Sequence, residues 1–103
     1  MAWQALCVHP AERIRFVTET ARAVLGERLD AAQGAAAVQL QAEQLTPLLR
    51  SDRNEVTRAE AESVATQLRL LAEQVNDRAS GRPDNDAYLA MAAAIGTLGQ
   101  ALR

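Results

Sequence analysis

Apolar residues recur at alternating steps of three and four along this chain, and that spacing constrains the fold more than any other feature. Such steps place side chains on one stripe of an α-helix, which buries the stripe against its neighbours. Two stripes in the second half are Ala61, Val64, Leu68, Leu71 and Val75, then Tyr88, Met91, Ile95, Leu98 and Leu102. We therefore predict an all-α protein, folded as an antiparallel helical bundle.

The first half of the chain carries a third stripe that keeps one seven-residue register throughout. Its members are Ile14, Val17, Ala21, Val24, Arg28, Ala31, Ala35, Val38, Ala42, Leu45 and Leu49. Because a turn has no reason to preserve this register, we predict one long helix from about Pro10 to Leu45, ended by Pro47. Gly34 leaves an alternative open, since glycine disfavours a helix interior and often follows a helix end. The bundle then has three long helices, or four if the chain turns at Gly34.

Capping residues and helix breakers predict the remaining boundaries. The second helix has two candidate starts, one capped at residues 51–52 and one capped at Thr57. The run 76–83 contains asparagine, glycine and proline and ends this helix. The third helix is capped at residues 84–85 and continues from about residue 86 to the C-terminus. One flank of this helix carries small side chains, which would let a neighbouring helix approach closely. The residues are Ala92, Gly96 and Gly99.

The length of 103 residues fits one domain and is too short for two well-buried cores. We expect residues 1–9 to form an N-terminal arm and residues 10–103 to form a single helical-bundle domain. Alanine accounts for 22 residues, and each alanine buries little area. The core therefore buries less apolar surface than the hydrophobic fraction of 49% suggests. With three aromatic residues and few β-branched ones outside the stripes, a β-rich fold would lack its usual side chains.

Charge and cysteine usage bear on partners and on the cellular compartment. The net charge is −2, which argues against nucleic acid because phosphate binding needs a concentrated positive field. The single cysteine, Cys7, cannot form an internal disulfide, as is usual in a reducing compartment. No apolar run approaches the roughly 18 residues of a spanning helix, and the signal-peptide pattern is missing. We expect a soluble, cytoplasmic protein.

The residues with reactive side chains do not form a recognisable catalytic or metal-binding pattern. Cys7 and His9 could both ligate a metal, but a zinc site needs about four ligands and the chain has no other Cys or His. Acidic residues of the second helix could form a magnesium site or simply a solvated face: Glu60, Glu62, Glu73 and Asp77. We predict no catalytic residues, no cofactor and no metal, with a carboxylate-dependent or metal-dependent enzyme as the second alternative.

A DNA-associated regulator is the first alternative, because a helix-turn-helix would fit between Leu45 and Leu71. Its recognition helix would present a mixture of charges, namely Arg58, Glu60, Glu62 and Arg69. Two of these side chains repel phosphate. The pattern therefore favours protein over nucleic acid as the partner.

Large apolar residues outside the stripes indicate a contact surface. In the helices they are Phe16, Leu29, Leu40, Leu70 and Leu89, and in the arm they are Trp3, Leu6 and Val8. We predict that these residues bind partners, although scattered exposure or an arm folded over its own bundle would also accommodate them. The leading hypothesis is a non-enzymatic protein–protein interaction module: an adaptor, regulator or chaperone-like subunit that forms a homodimer and binds another protein, without contact to a membrane.

Overall fold

The computed structural model describes residues 10–50 and 58–102, and within these ranges it contains α-helices and no strand. The helices are α1 (Pro10–Leu25), α2 (Ala31–Arg50), α3 (Arg58–Ala79) and α4 (Asn85–Ala101). The all-α bundle is thus confirmed, in its four-helix form. The predicted arm and both predicted caps of α3 lie outside the described residues.

The four helices form a ring in the order α1, α2, α4, α3, so that each helix packs against two others. Near the start of α1, Nε of Arg13 donates to Oε1 of Gln41 on α2 at 3.1 Å. Val24, near the end of α1, lies against Gly34 near the start of α2. These contacts show that α1 and α2 run antiparallel.

The other half of the ring follows the same alternation. Gly99, near the end of α4, approaches the backbone of Ala65 near the start of α3, so these two helices are also antiparallel. Arg78, in the last turn of α3, donates from Nη1 to the carbonyl oxygen of Leu25 at the end of α1, at 2.8 Å. Helices α1 and α3 are therefore parallel, and the bundle alternates up and down along the chain.

The predicted stripes form the core. All members of the three stripes are buried except Val64, which is partly buried, and Arg28, which is exposed. Val17, Val38 and Leu45 from the first stripe are fully enclosed, as are Met91 and Ile95 from the last. Each large side chain buried in this way contributes roughly 1.5–3 kcal/mol relative to exposure.

The prediction of one continuous helix from Pro10 to Leu45 is wrong, because the chain turns at residues 26–30. The register survives the turn, since Val24 and Ala31 on either side of it are both buried. The intervening stripe position holds the exposed Arg28, the only charged residue in the stripe.

A Schellman motif ends α1. The amide of Arg28 donates to the carbonyl of Ala23 at 2.8 Å, and the amide of Glu27 donates to the carbonyl of Val24 at 3.0 Å. This pair of bonds requires one left-handed residue, which here is Glu27 with φ of 59°. Glycine usually occupies that position, but in this chain Gly26 comes one residue earlier.

Gly34 is not the turn; it lies four residues into α2. The side chain of Asp30 caps the helix, since Oδ2 accepts a hydrogen bond from the amide of Gln33 at 3.2 Å. A Cβ atom at residue 34 would overlap Cγ2 of the buried Val24. The glycine therefore permits close packing of α1 against α2.

The predicted end of this helix at Leu45 is also wrong, because α2 continues through Pro47 to Arg50. Proline removes one backbone donor and would normally disfavour a helix interior. Leu45 and Leu49, one turn apart on either side of Pro47, are both buried in the core. Burying these two side chains stabilises the helical conformation by more than the lost hydrogen bond costs. Only one bond is lost, and it lies in the last turn of α2.

The turn between α3 and α4 matches the prediction. Gly81 adopts φ of 77°, and α4 begins directly after Asp84. Asp84 occupies the N-cap position without a side-chain bond to the helix. Its Oδ1 instead accepts a hydrogen bond from Nε of Arg82 at 2.9 Å.

Candidate interaction surface

The outer side of α4 is the most unusual surface in the described structure. From Ala87 to Leu102 the sequence contains no charged residue, although a surface helix normally carries charge on its solvent side. The inner side of this helix supplies Tyr88, Met91 and Ile95 to the core. Its outer side, here called the α4 face, consists of Leu89, Ala90, Ala93, Gly96, Thr97 and Gln100.

A groove of about 520 Å³ lies between α3 and the α4 face. It forms because small residues line it where two helices meet, among them Ala65, Ala72, Ala92, Gly96 and Gly99. A Cβ atom added at Gly99 would touch α3, whereas one added at Gly96 would meet nothing within 4 Å. The predicted close approach is therefore confirmed at Gly99, while the space above Gly96 is open.

A second groove of about 290 Å³ lies on the other side of α4, against α2. Its lining residues are Gln39, Ala42, Glu43, Thr46, Ala90, Ala93, Ala94 and Thr97. Ala93 lines both grooves. The α4 face is thus a narrow, uncharged ridge centred on Ala93 with a groove on each side.

Charged side chains border the ridge without crossing it. Nε of Arg69 lies 4.0 Å from Oε2 of Glu73 on the α3 wall, and the two side chains are 60% and 63% exposed. An exposed pair of this kind contributes only a few tenths of a kcal/mol, so the wall can rearrange around a partner. Glu43 provides one charge on the α2 wall.

Four of the predicted partner-binding residues are exposed in the structure: Phe16, Leu40, Leu70 and Leu89. Only Leu89 lies on the α4 face; the other three are on α1, α2 and α3. The expected outward position of Leu29 is wrong, because the turn at 26–30 lets this side chain pack partly against the core. Trp3, Leu6 and Val8 lie outside the described residues.

Sequence reasoning missed one exposed apolar residue, Leu48, which is 47% exposed on α2. A helix that ends at Pro47, as the sequence predicts, gives residue 48 no position on a helical face. Once α2 continues to Arg50, Leu48 is two turns from the exposed Leu40.

Arg82 links the two turns at one end of the bundle. Its guanidinium lies 4.9 Å from the ring centroid of the buried Tyr88, and Nη1 is 3.8 Å from Oε1 of Glu27. The hydrogen bond from Arg82 lowers the pKa of the Asp84 carboxyl, and the same bond raises the pKa of Arg82. This cluster pairs each of its charges with a neighbour and joins the turn after α1 to the turn before α4.

Within residues 10–50 and 58–102, no three His, Cys, Asp or Glu side chains are grouped so that they could hold a metal ion. Cys7 and His9 lie outside these ranges. None of the described helices has both the length and the apolar character needed to cross a membrane.

Comparisons of the chain with family models, curated proteins and solved structures found no match. Of the surfaces described above, the α4 face combines an uncharged ridge, two flanking grooves and one exposed leucine.

Proposed function

We propose that this protein is a small, non-enzymatic interaction module that forms a homodimer through the α4 face. The observation that carries the proposal is the uncharged ridge between two grooves. Burying such a ridge removes no charge from water, and alanine and glycine lose almost no side-chain entropy on contact. A surface of this composition gains from contact with another apolar surface.

The shape of the ridge suits a second α4 helix. Small residues let two helices approach to about 8 Å, the lower end of the usual packing distance. Leu89 projects from the ridge with 43% exposure, and Gly96 leaves a hollow two turns further along the same side. A symmetric dimer requires a surface that complements itself.

That complementarity follows from the spacing of the two residues. Leu89 and Gly96 are seven residues apart, which is about 10.5 Å along a helix. If a two-fold axis passes beside Ala93, an antiparallel pair of α4 helices places Leu89 of each copy over Gly96 of the other. The proposed dimer is therefore built from one protrusion and one hollow, each used twice.

The dimer would serve as an adaptor, regulator or chaperone-like subunit that binds a further protein. Leu70 supports this part of the proposal, since it is 52% exposed on α3, which packs beside α4. A cytoplasmic setting belongs to the same proposal, and the single Cys7 supports it.

The test is sedimentation-velocity ultracentrifugation of the full chain and of A93R. We expect the wild type to sediment as a dimer, whereas A93R sediments as a monomer because it places a charge at the centre of the ridge. The control is A36R, because Ala36 is also an exposed alanine on a helix but lines neither groove.

Circular dichroism should show the same helicity in both variants and the wild type, since both alanines are exposed. The proposal is contradicted if the wild type is a monomer at all concentrations. It is also contradicted if A93R and A36R sediment alike.

A further inference from the structure

The α1–α2 pair carries a second apolar surface that the α4 face does not include. Phe16 on α1 and Leu40 and Leu48 on α2 are 48%, 51% and 47% exposed. We call these three residues the hairpin patch. Large side chains left this open on two neighbouring helices indicate a surface that something covers.

The hairpin patch begins where the N-terminal segment joins the bundle. Arg13 of α1 donates hydrogen bonds to Gln41 and Gln44 of α2. Leu48 is one helical turn beyond Gln44, and Pro10 is nearly one turn before Arg13. The antiparallel pairing therefore puts Leu48 level with the first residue of α1, to which residues 1–9 are attached.

Residues 1–9 are long enough to cover the patch. Nine extended residues span up to about 30 Å. From Pro10 to Phe16 the helix rises about 9 Å, and from Leu48 to Leu40 it rises about 12 Å. A segment that turns back at Pro10 thus reaches the whole patch.

The composition of this segment also fits an apolar surface. Residues 1–9 contain no Asp, Glu, Lys or Arg, and they contain Trp3, Leu6 and Val8. Tryptophan buries more area than any other side chain and commonly anchors a contact. Binding of this segment would therefore take no Asp, Glu, Lys or Arg side chain of residues 1–9 out of water.

We propose that residues 1–9 bind back onto the hairpin patch of their own chain, with Val8 near Leu48 and Trp3 as the anchor against Phe16 and Leu40. The segment then acts as a strap across α1 and α2. Because the strap covers the hairpin patch, that patch does not contact a second copy. The α4 face remains exposed for dimer formation. The strap does not depend on the dimer for its support.

Trp3 is the only tryptophan, so its fluorescence reports the strap directly. In the full-length wild type we expect blue-shifted emission and protection from acrylamide quenching. L48D should shift the emission to that of the urea-unfolded chain and abolish the protection, with helicity unchanged. L70D is the matched control, because Leu70 is 52% exposed on α3, outside the patch, and it should leave the emission as in the wild type.

The strap is overturned if Trp3 emits as a solvent-exposed indole in the wild type, or if L48D and L70D give the same spectrum. A93R separates this proposal from the dimer. If the strap is intramolecular, Trp3 stays protected in that variant and at every dilution. Protection that disappears on dilution would assign the contact to a second copy and contradict the strap.

Discussion

Helices α1 and α4 occupy opposite corners of the same bundle but meet the solvent with different side chains. The outer side of α1 presents Glu12, Arg15, Glu19 and Arg22, all of them exposed. The outer side of α4 presents no charge from Ala87 to Leu102. Both helices bury apolar stripes equally well, so the core does not explain the difference. Charged side chains therefore solvate the outer side of α1, whereas the outer side of α4 has no such charge and is the better suited of the two to contact another apolar surface.

The largest change in stability that we expect concerns the close packing of α2 against α1 at Gly34. A Cβ atom at this position would overlap the stiff, buried side chain of Val24. G34A should therefore lower the free energy of unfolding by about 1–3 kcal/mol, as overpacked sites do. Urea denaturation followed by circular dichroism measures the change.

Gly99 provides the comparison on α4. A Cβ atom there would lie 3.6 Å from the Ala65 carbonyl oxygen and 3.7 Å from Leu68, which are ordinary contacts. G99A should be neutral or raise stability by up to about 1 kcal/mol, because alanine favours helix over glycine. Equal destabilisation by G34A and G99A would show that α2 does not pack more closely on α1 than α4 packs on α3.

A smaller effect is expected at the two turns that end α1 and precede α4. Glu27 holds a left-handed conformation that strains a side-chain-bearing residue, so E27G should raise stability by about 1 kcal/mol. The ion pair to Arg82 that this variant loses is exposed on the Glu27 side and contributes only tenths of a kcal/mol.

G81A supplies the opposite change, because Gly81 has φ of 77° and open space around it. It should lower stability by about 1–2 kcal/mol through backbone strain alone. Chemical denaturation of the two variants checks the pair. If E27G is destabilising, the strain assigned to the end of α1 is absent.

These two turns also show why the sequence predicts one boundary and conceals the other. Gly81 adopts the left-handed conformation, and Pro83 follows two residues later. These two residue types made the end of α3 recognisable from the sequence. Glu27 stands at the same kind of position after α1, and glutamate gives no such signal. Two weaker signals were present: a charged residue, Arg28, in an apolar stripe, and Asp30 three residues before Gln33 as a cap.

The surface was predictable only in part, because exposure depends on where helices end and which sides they turn inward. Phe16, Leu40, Leu70 and Leu89 could be assigned to outward positions from the register alone. Leu48 could not, since its position requires a helix that continues through Pro47. Of the α4 face, the sequence pointed only to Gly96, as a small residue, and to Leu89, as an outward apolar one. The two grooves could not be predicted, because they result from how α2 and α3 flank α4.

In the proposed dimer, two copies meet along α4 with their Ala93 residues facing each other. Disulfide crosslinking can detect this contact, using A93C in a background where Cys7 is replaced by serine. We expect a rapid covalent dimer under mild oxidation at low micromolar concentration, while A36C in the same background stays monomeric on a denaturing gel. Equal crosslinking of the two variants, or none at A93C, would rule out a dimer that meets along α4.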